Sequence, residues 1–149
     1  MNIDIPTLLT GPNQIDSLIN IVKQLLPILK EKDIYINLDI DLPPYKIKQI
    51  MEEINNDHVG VVYNVEYMTF LGYDHIDFMN LLEKYIRSII ISDYRVSGVQ
   101  YKLGDADAPI EYILERLRNS VYKYNIRIEE NPHTRTNIKN YIKLLEGIL

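Results

Sequence analysis

The sequence predicts a single parallel α/β domain of four to five βα units. Three observations carry that expectation. Four strand-like runs, at residues 34–40, 60–67, 88–96 and 126–132, are each followed by a helix-like run. Their starts lie 26, 28 and 38 residues apart, the pitch of repeated βα units. The stretch 88–92 is apolar almost throughout, which suits a parallel strand covered on both faces rather than an edge strand with one wet side. Polar residues gather at the C-terminal ends of the runs, at Asp39, Asn64, Asp93 and Glu129. That is the edge at which βα proteins place their chemistry.

Taken in order, a first short strand is expected at 5–10, broken by Gly11-Pro12. Asn13 is the expected N-cap of the first helix, with Asp16 in its first turn. Ile15, Leu18, Ile19, Val22, Leu25, Leu26 and Leu29 follow at helical spacing, and Pro27 must kink or end that helix because it donates no backbone hydrogen bond. The strand at 34–39 runs into Pro43-Pro44, and Ile47, Ile50, Met51 and Ile54 stripe the next helix up to Asn55-Asn56-Asp57. After the strand at 60–65, Gly72 marks a loop and Asp74 caps a helix carrying Ile76, Met79, Leu82 and Ile86. Residues 94–107 form the longest loop. Pro109 opens the helix of Ile110, Ile113, Leu114, Leu117 and Val121, since its missing N–H is harmless there. A strand at 126–129 and a last helix, capped by Thr134 or Thr136 and carrying Ile138, Ile142, Leu145 and Leu149, complete the chain.

Composition narrows the function. The 149 residues suit one domain large enough to bury a core, 46% of them apolar and 25% charged. No apolar run reaches the ~20 residues that span a bilayer. The N-terminus carries an acid where a signal peptide wants basic residues, so a cytoplasmic location is expected. The absence of cysteine excludes disulfides, thiolate zinc sites and cysteine nucleophiles. A formal charge of −5 argues against a nucleic-acid partner, which needs a basic face. Gly104-Asp105-Ala106-Asp107 is no phosphate cradle, because it lacks repeated glycines and its acids repel phosphate. His58 and His75 read as structural, and Arg95 and Lys102 as solvated loop cations. From pattern alone the fold is either a flavodoxin-like open sheet or part of a barrel.

Residues 60–93 (GVVYNVEYMTFLGYDHIDFMNLLEKYIRSIIISD) resemble a stretch of the xylose-isomerase-like TIM barrels, which include sugar isomerases, epimerases and abasic-site endonucleases. In that family the stretch reads Asp-x-Gly-His at one strand end and His-x-x-Asp at the next. Residues 102–117 (KLGDADAPIEYILERL) are similar to the segment that follows, a Gly-Asp-Gly-type loop and a helix. The resemblance runs over residues 5–149 and implies the back half of the barrel, from about its fourth strand onward: a half TIM barrel-like sheet.

Carried across residue by residue, the family's metal site arrives damaged. The first glutamate ligand falls on Asp39, one methylene shorter. The Asp-x-Gly-His motif falls on Asn64, Glu66 and Tyr67. Its sequel keeps Asp93 but places Ile90 where a histidine belongs, and the last glutamate falls on Glu129, beside Glu130. The resemblance implies Asp39 and Glu129 as acid/base pair and as residual metal ligands. It implies Asn64, Glu66, Tyr67 and Asp93 as substrate-binding residues, and His133, by its place after Pro132 in the last strand-to-helix loop, is a further candidate to meet a phosphate or a substrate oxygen. One ligand has become apolar and one has lost its charge, while a divalent site needs several convergent donors. The expectation is a divergent sugar-isomerase-like domain without a competent metal site, with no resident manganese, magnesium or zinc, acting as a binding or assembly module that takes a small sugar. The alternative is a metal-dependent isomerase or epimerase completed by a partner. A half barrel leaves two bare edges and, on this reading, an uncovered apolar face. A homodimer, or a separate chain supplying the front half, is therefore expected.

Overall fold

The computed structural model describes residues 1–7, 9, 11–94, 100–101, 107–119 and 125–129. Along the chain run β1 (Asn2–Thr7), α1 (Pro12–Glu31), β2 (Tyr35–Ile40), α2 (Pro44–Ile54), β3 (Val59–Asn64), α3 (Val65–Phe70), α4 (His75–Leu82), β4 (Ile86–Ile91), the short pair β5 (Asp93–Tyr94) and β6 (Gln100–Tyr101), α5 (Ile110–Arg118) and β7 (Asn125–Ile128). Five strands make one sheet in the order β1-β2-β3-β4-β7, with every neighbouring pair parallel. That order never switches direction. A flavodoxin-like sheet, which must switch, is excluded.

The sheet is curled. Asp4 on β1 and Ser88 on β4 are three strand spacings apart, ~14 Å across a flat sheet. Ser88 Oγ nonetheless donates to Asp4 Oδ2 at 2.8 Å. Arg127, four spacings from β1, brings a guanidinium nitrogen to 4.0 Å from the same oxygen. Only a strongly curved sheet lets short side chains from its first, fourth and fifth strands meet. The five strands form the half barrel that the sequence predicts.

The core lies between the convex side of the sheet and the helices. Ile36, Leu38 and Ile40 alternate into it from β2, Val61 and Tyr63 from β3, and Ile89 and Ile91 from β4. Ile47, Ile50, Met51 and Ile54 of α2, Phe78, Met79 and Leu82 of α4, and Ile113, Leu114 and Leu117 of α5 cover them. The period-2 pattern of the strands and the i, i+3, i+4 pattern of the helices therefore meet on one apolar layer.

Several local expectations are corrected. The first strand covers Asn2–Thr7 rather than 5–10. Gly11, not Asn13, is the N-cap of α1. The Gly11 carbonyl accepts from Gln14 N, its N–H donates to Gln14 Oε1 at 3.1 Å, and Pro12 takes the first helical position. Asp16 falls beyond the first turn. Pro27 lies inside α1, one turn before its end at Glu31, in keeping with the expectation of a kink or end near the last turn. The run 60–67 is a strand only to Asn64, after which Glu66 and Tyr67 lie on the first turn of α3. The long loop contains the β5–β6 pair. The last helix, with Glu130, His133 and the residues from 130 onward, lies outside the described residues.

The expected apolar face is also misplaced. The concave side carries Asp4, Asn37, Asp39, Asn64, Ser88 and Arg127, with Val62 and Ile90 among them, and is polar. Exposed apolar surface sits instead on the outside of α1, where Ile21 (57% exposed), Leu25 (38%) and Ile28 (54%) recur at i, i+4, i+7.

Candidate functional site

The C-terminal ends of β2, β3 and β7 bring Asp39, Asn64, Tyr67 and Glu129 to one edge. Asn64 does two jobs there. Its Oδ1 accepts from Tyr67 N at 3.3 Å, capping α3, and this fixes the amide so that Nδ2 points at Asp39 and donates to Oδ2 at 3.1 Å. The strand-like alternation continues past residue 64, but the cap ends the strand and turns Tyr67 back over the edge.

Asp39 is buried, and burial pushes its carboxyl up from the ordinary value. The Asn64 hydrogen bond and the Arg127 charge pull the other way, while Asp4 and Asp41 add to the rise. Glu129 continues the β4–β7 pairing through its backbone N–H to Ile91 O at 2.9 Å, and its Oε1 accepts from Arg127 Nε at 2.8 Å. The phenol of Tyr67 is pushed up, first by partial burial and then by the charges of Asp39, Glu66, Asp41 and Glu129. Four carboxylates thus act on one hydroxyl. Beside Tyr67 a cleft of about 300 Å³ is lined by Pro6, Thr7, Asp41, Tyr67, Phe70 and Leu71.

Of the remaining expected site residues, Asp93 lies apart from the cleft lining. Its side chain is buried and its Oδ1 accepts from Ala108 N at 3.1 Å, fastening the return of the chain after β6. Glu66 stands half-buried on α3. His133 lies outside the described residues. His58 and His75 are structural as expected. His58 stacks on Tyr35 and bonds Ile34 O through Nδ1 at 2.9 Å. His75 is buried between Tyr63 OH (2.7 Å to Nδ1) and Thr69 Oγ1 (3.1 Å to Nε2).

The residues that sequence reasoning missed are Asp41 and Phe70 in the cleft, and the layer of Asp4, Asn37, Ser88 and Arg127 below it. The alternation of Asn37 and Asp39 with Ile36, Leu38 and Ile40 was a signal that both polar residues share one face.

An amide N–H occupies one oxygen of Asp39, a guanidinium holds one oxygen of Glu129, and Ile90 has no lone pair. Among the described residues no three His, Cys, Asp or Glu side chains are grouped to hold a metal ion. No helix among them is long and apolar enough to cross a membrane.

No protein-family model matches the sequence, and no curated protein matches it. Solved structures do match the fold. A xylose isomerase domain protein from Planctomyces limnophilus superposes at a TM-score of 0.79 and 17% identity, covering 99% of this chain and 59% of that one. The zinc-bound IolI protein matches at 0.72 and 16%, covering 99% and 58%. The 3-keto-D-glucoside 4-epimerase YcjR from E. coli matches at 0.65 and 14%, covering 97% and 62%. The chain therefore spans about three fifths of the length of these proteins. At such identities the likeness speaks for the fold. Parallel order, curl and superposition agree that this chain has the fold of the xylose-isomerase-like TIM barrels, in part: five consecutive strands of the barrel with their helices.

Proposed function

We propose that the chain is a binding or assembly module built on sugar-isomerase architecture, working without a divalent cation at Asp39 and Glu129. The observation that carries this reading is that both carboxylates are already engaged, Asp39 by the Asn64 amide and Glu129 by Arg127. The amide and the guanidinium each take up one carboxylate oxygen and so compete with a cation for it. A small sugar is the ligand proposed for the cleft beside Tyr67. Thr7 and Asp41 offer hydroxyl partners there, and Tyr67, Phe70 and Pro6 offer apolar faces. Asn64 and Glu66 support that wall. Isothermal titration with manganese, zinc and magnesium tests the reading. No stoichiometric heat is expected, and tight binding that Asp39→Asn abolishes would overturn it.

Assembly is proposed at the β1 edge. Among the described residues β1 pairs only with β2, and the stripe of Ile21, Leu25 and Ile28 lies on the helix that follows β1. A second copy meeting this surface about a twofold axis sets two identical apolar stripes against each other, the commonest closed arrangement. A separate chain supplying the front of the barrel is the other partner this surface fits, since five strands at this curvature leave room for about three of the usual eight. The competing reading is a metal-dependent isomerase or epimerase. It draws on the four carboxylates around Tyr67, and requires the partner to add the missing ligand. Titration of metal into the assembled complex separates the two.

A further inference from the structure

A second cleft, of about 380 Å³, lies inside the curl of the sheet and is lined by Asn2, Asp4, Asn37, Ser88, Asn125 and Arg127. It is distinct from the candidate site. Asn37 precedes Asp39 by two residues on the same face of β2, ~7 Å toward the N-terminal side of the sheet. In complete barrels this level is packed by bulky apolar side chains. Here it is polar, and one of its groups is unmet. Asn37 is 1% exposed, its Nδ2 donates to Asp4 Oδ1 at 2.8 Å, and its Oδ1 has no hydrogen-bond partner. The amide cannot be turned over to relieve this, because its oxygen would then face the Asp4 carboxylate. A buried carbonyl oxygen left without a donor is a standing penalty, and it calls for a donor from a bound molecule.

The charges specify what kind. Asp4 receives Asn37 Nδ2 and Ser88 Oγ, each at 2.8 Å. Arg127 is held at Nε by Glu129, while its outer nitrogen stands 4.0 Å from Asp4 Oδ2, too long for a hydrogen bond. One carboxylate with a neutral acceptor beside it therefore faces one half-exposed guanidinium. A lone cation would meet Arg127, and a lone anion would meet Asp4. A molecule with both charges meets each favourably. An ammonium has three donors, enough for Asn37 Oδ1 and the Asp4 carboxylate, and a ligand carboxylate suits the planar fork of Arg127. We propose that this cleft binds a small amino-acid-like zwitterion, its ammonium on Asn37 Oδ1 and Asp4 and its carboxylate on Arg127. The proposal shares Arg127 with the reading given for the Asp39 edge, through its contact with Glu129, but does not require that reading to hold.

Glycine and L-serine are the probes, with ethylammonium, acetate and xylitol as comparisons, each titrated into the full chain by calorimetry. The Asn37 side-chain amide is followed in parallel by NMR. The zwitterions are expected to bind one to one, to shift the Asn37 amide resonance, and to exceed ethylammonium and acetate at least tenfold. Arg127→Met is expected to weaken the zwitterions at least tenfold without weakening ethylammonium. Its side chain is 54% exposed, so the variant keeps its core. The amide shift in the unsubstituted protein is a readout that needs no variant. Preference for xylitol over the zwitterions, no shift at Asn37 with any probe, or unchanged zwitterion affinity in Arg127→Met would each overturn the proposal.

Discussion

His75 makes stability depend on pH in a way that can be worked out from its surroundings. Thr69 Oγ1 donates to Val65 O at 2.8 Å, so toward His75 it can only accept, and Nε2 carries the ring proton. Nδ1 is then the bare nitrogen that accepts from Tyr63 OH. Burial pushes the Tyr63 phenol well up, which keeps that donor protonated. Protonating His75 would place an N–H against the phenol O–H in a buried site. Burial lowers its pKa from 6.5 to about 4, with Asp74 opposing weakly. The unfolded chain takes up the proton near the ordinary value and the native state refuses it. Stability from this group is therefore full above about pH 6.5, is lost progressively as pH falls, and levels off near pH 4. A shift of about 2.5 pH units corresponds to about 3 kcal/mol. Urea unfolding between pH 7.5 and 4, compared with His75→Gln, isolates this contribution from that of the carboxylates. Gln keeps a donor for Thr69 and an acceptor for Tyr63 but does not titrate. The stability difference between the two proteins should close or reverse by about 3 kcal/mol across the range. Parallel curves, or a His75 resonance that titrates near 6.5, would refute the reasoning.

Three further outcomes follow from the same structure. Asp39→Asn should stabilise the chain at neutral pH. The raised carboxyl pKa means that its contribution is greatest below the unfolded value and is lost as pH rises through the folded one, so the gain should vanish in acid; unfolding curves at several pH values check this. Gly60→Ala should destabilise by roughly 1–3 kcal/mol, because the added Cβ collides with Arg87 Cγ and comes within 2.8 Å of Arg87 Cβ, and the stem of Arg87 cannot swing away as a far tip would. Thermal melts read the loss. Ile21→Lys with Ile28→Lys should weaken self-association in sedimentation equilibrium at micromolar concentration while leaving the fold intact, since both side chains are more than half exposed. Equal association of the doubly substituted chain would move the interface elsewhere.

What the sequence made legible, and what it did not, divides along the range of the interactions. The four main helices and the Asp74 cap rest on local pattern, and each is found, whereas the sequential strand order followed from the family resemblance and not from pattern. The stripe of Ile47, Ile50, Met51 and Ile54 could be assigned to the core because helical spacing needs no partner to be recognised. The engagement of Asp39 depends on which way a side chain 25 residues away is turned by its own capping role. The Asp4–Ser88 bond joins residues 84 apart and exists only because the sheet curls. No local pattern reports curvature.

The same curvature bears on how such a half barrel stays folded. Apolar burial contributes about 25 cal/mol per Å², so an apolar concave face left open would drive closure or aggregation. Here Asp4 accepts from Asn37 and Ser88 across the hollow, with the Arg127 guanidinium 4.0 Å away, and the face is polar. Exposed apolar surface is found instead on the outside of α1, at Ile21, Leu25 and Ile28. Among the described residues β1 pairs only with β2, and Pro6 removes one donor from its other side, a feature that blunts indiscriminate strand addition. The polar concave face and the apolar stripe on α1 are two parts of one distribution of polarity.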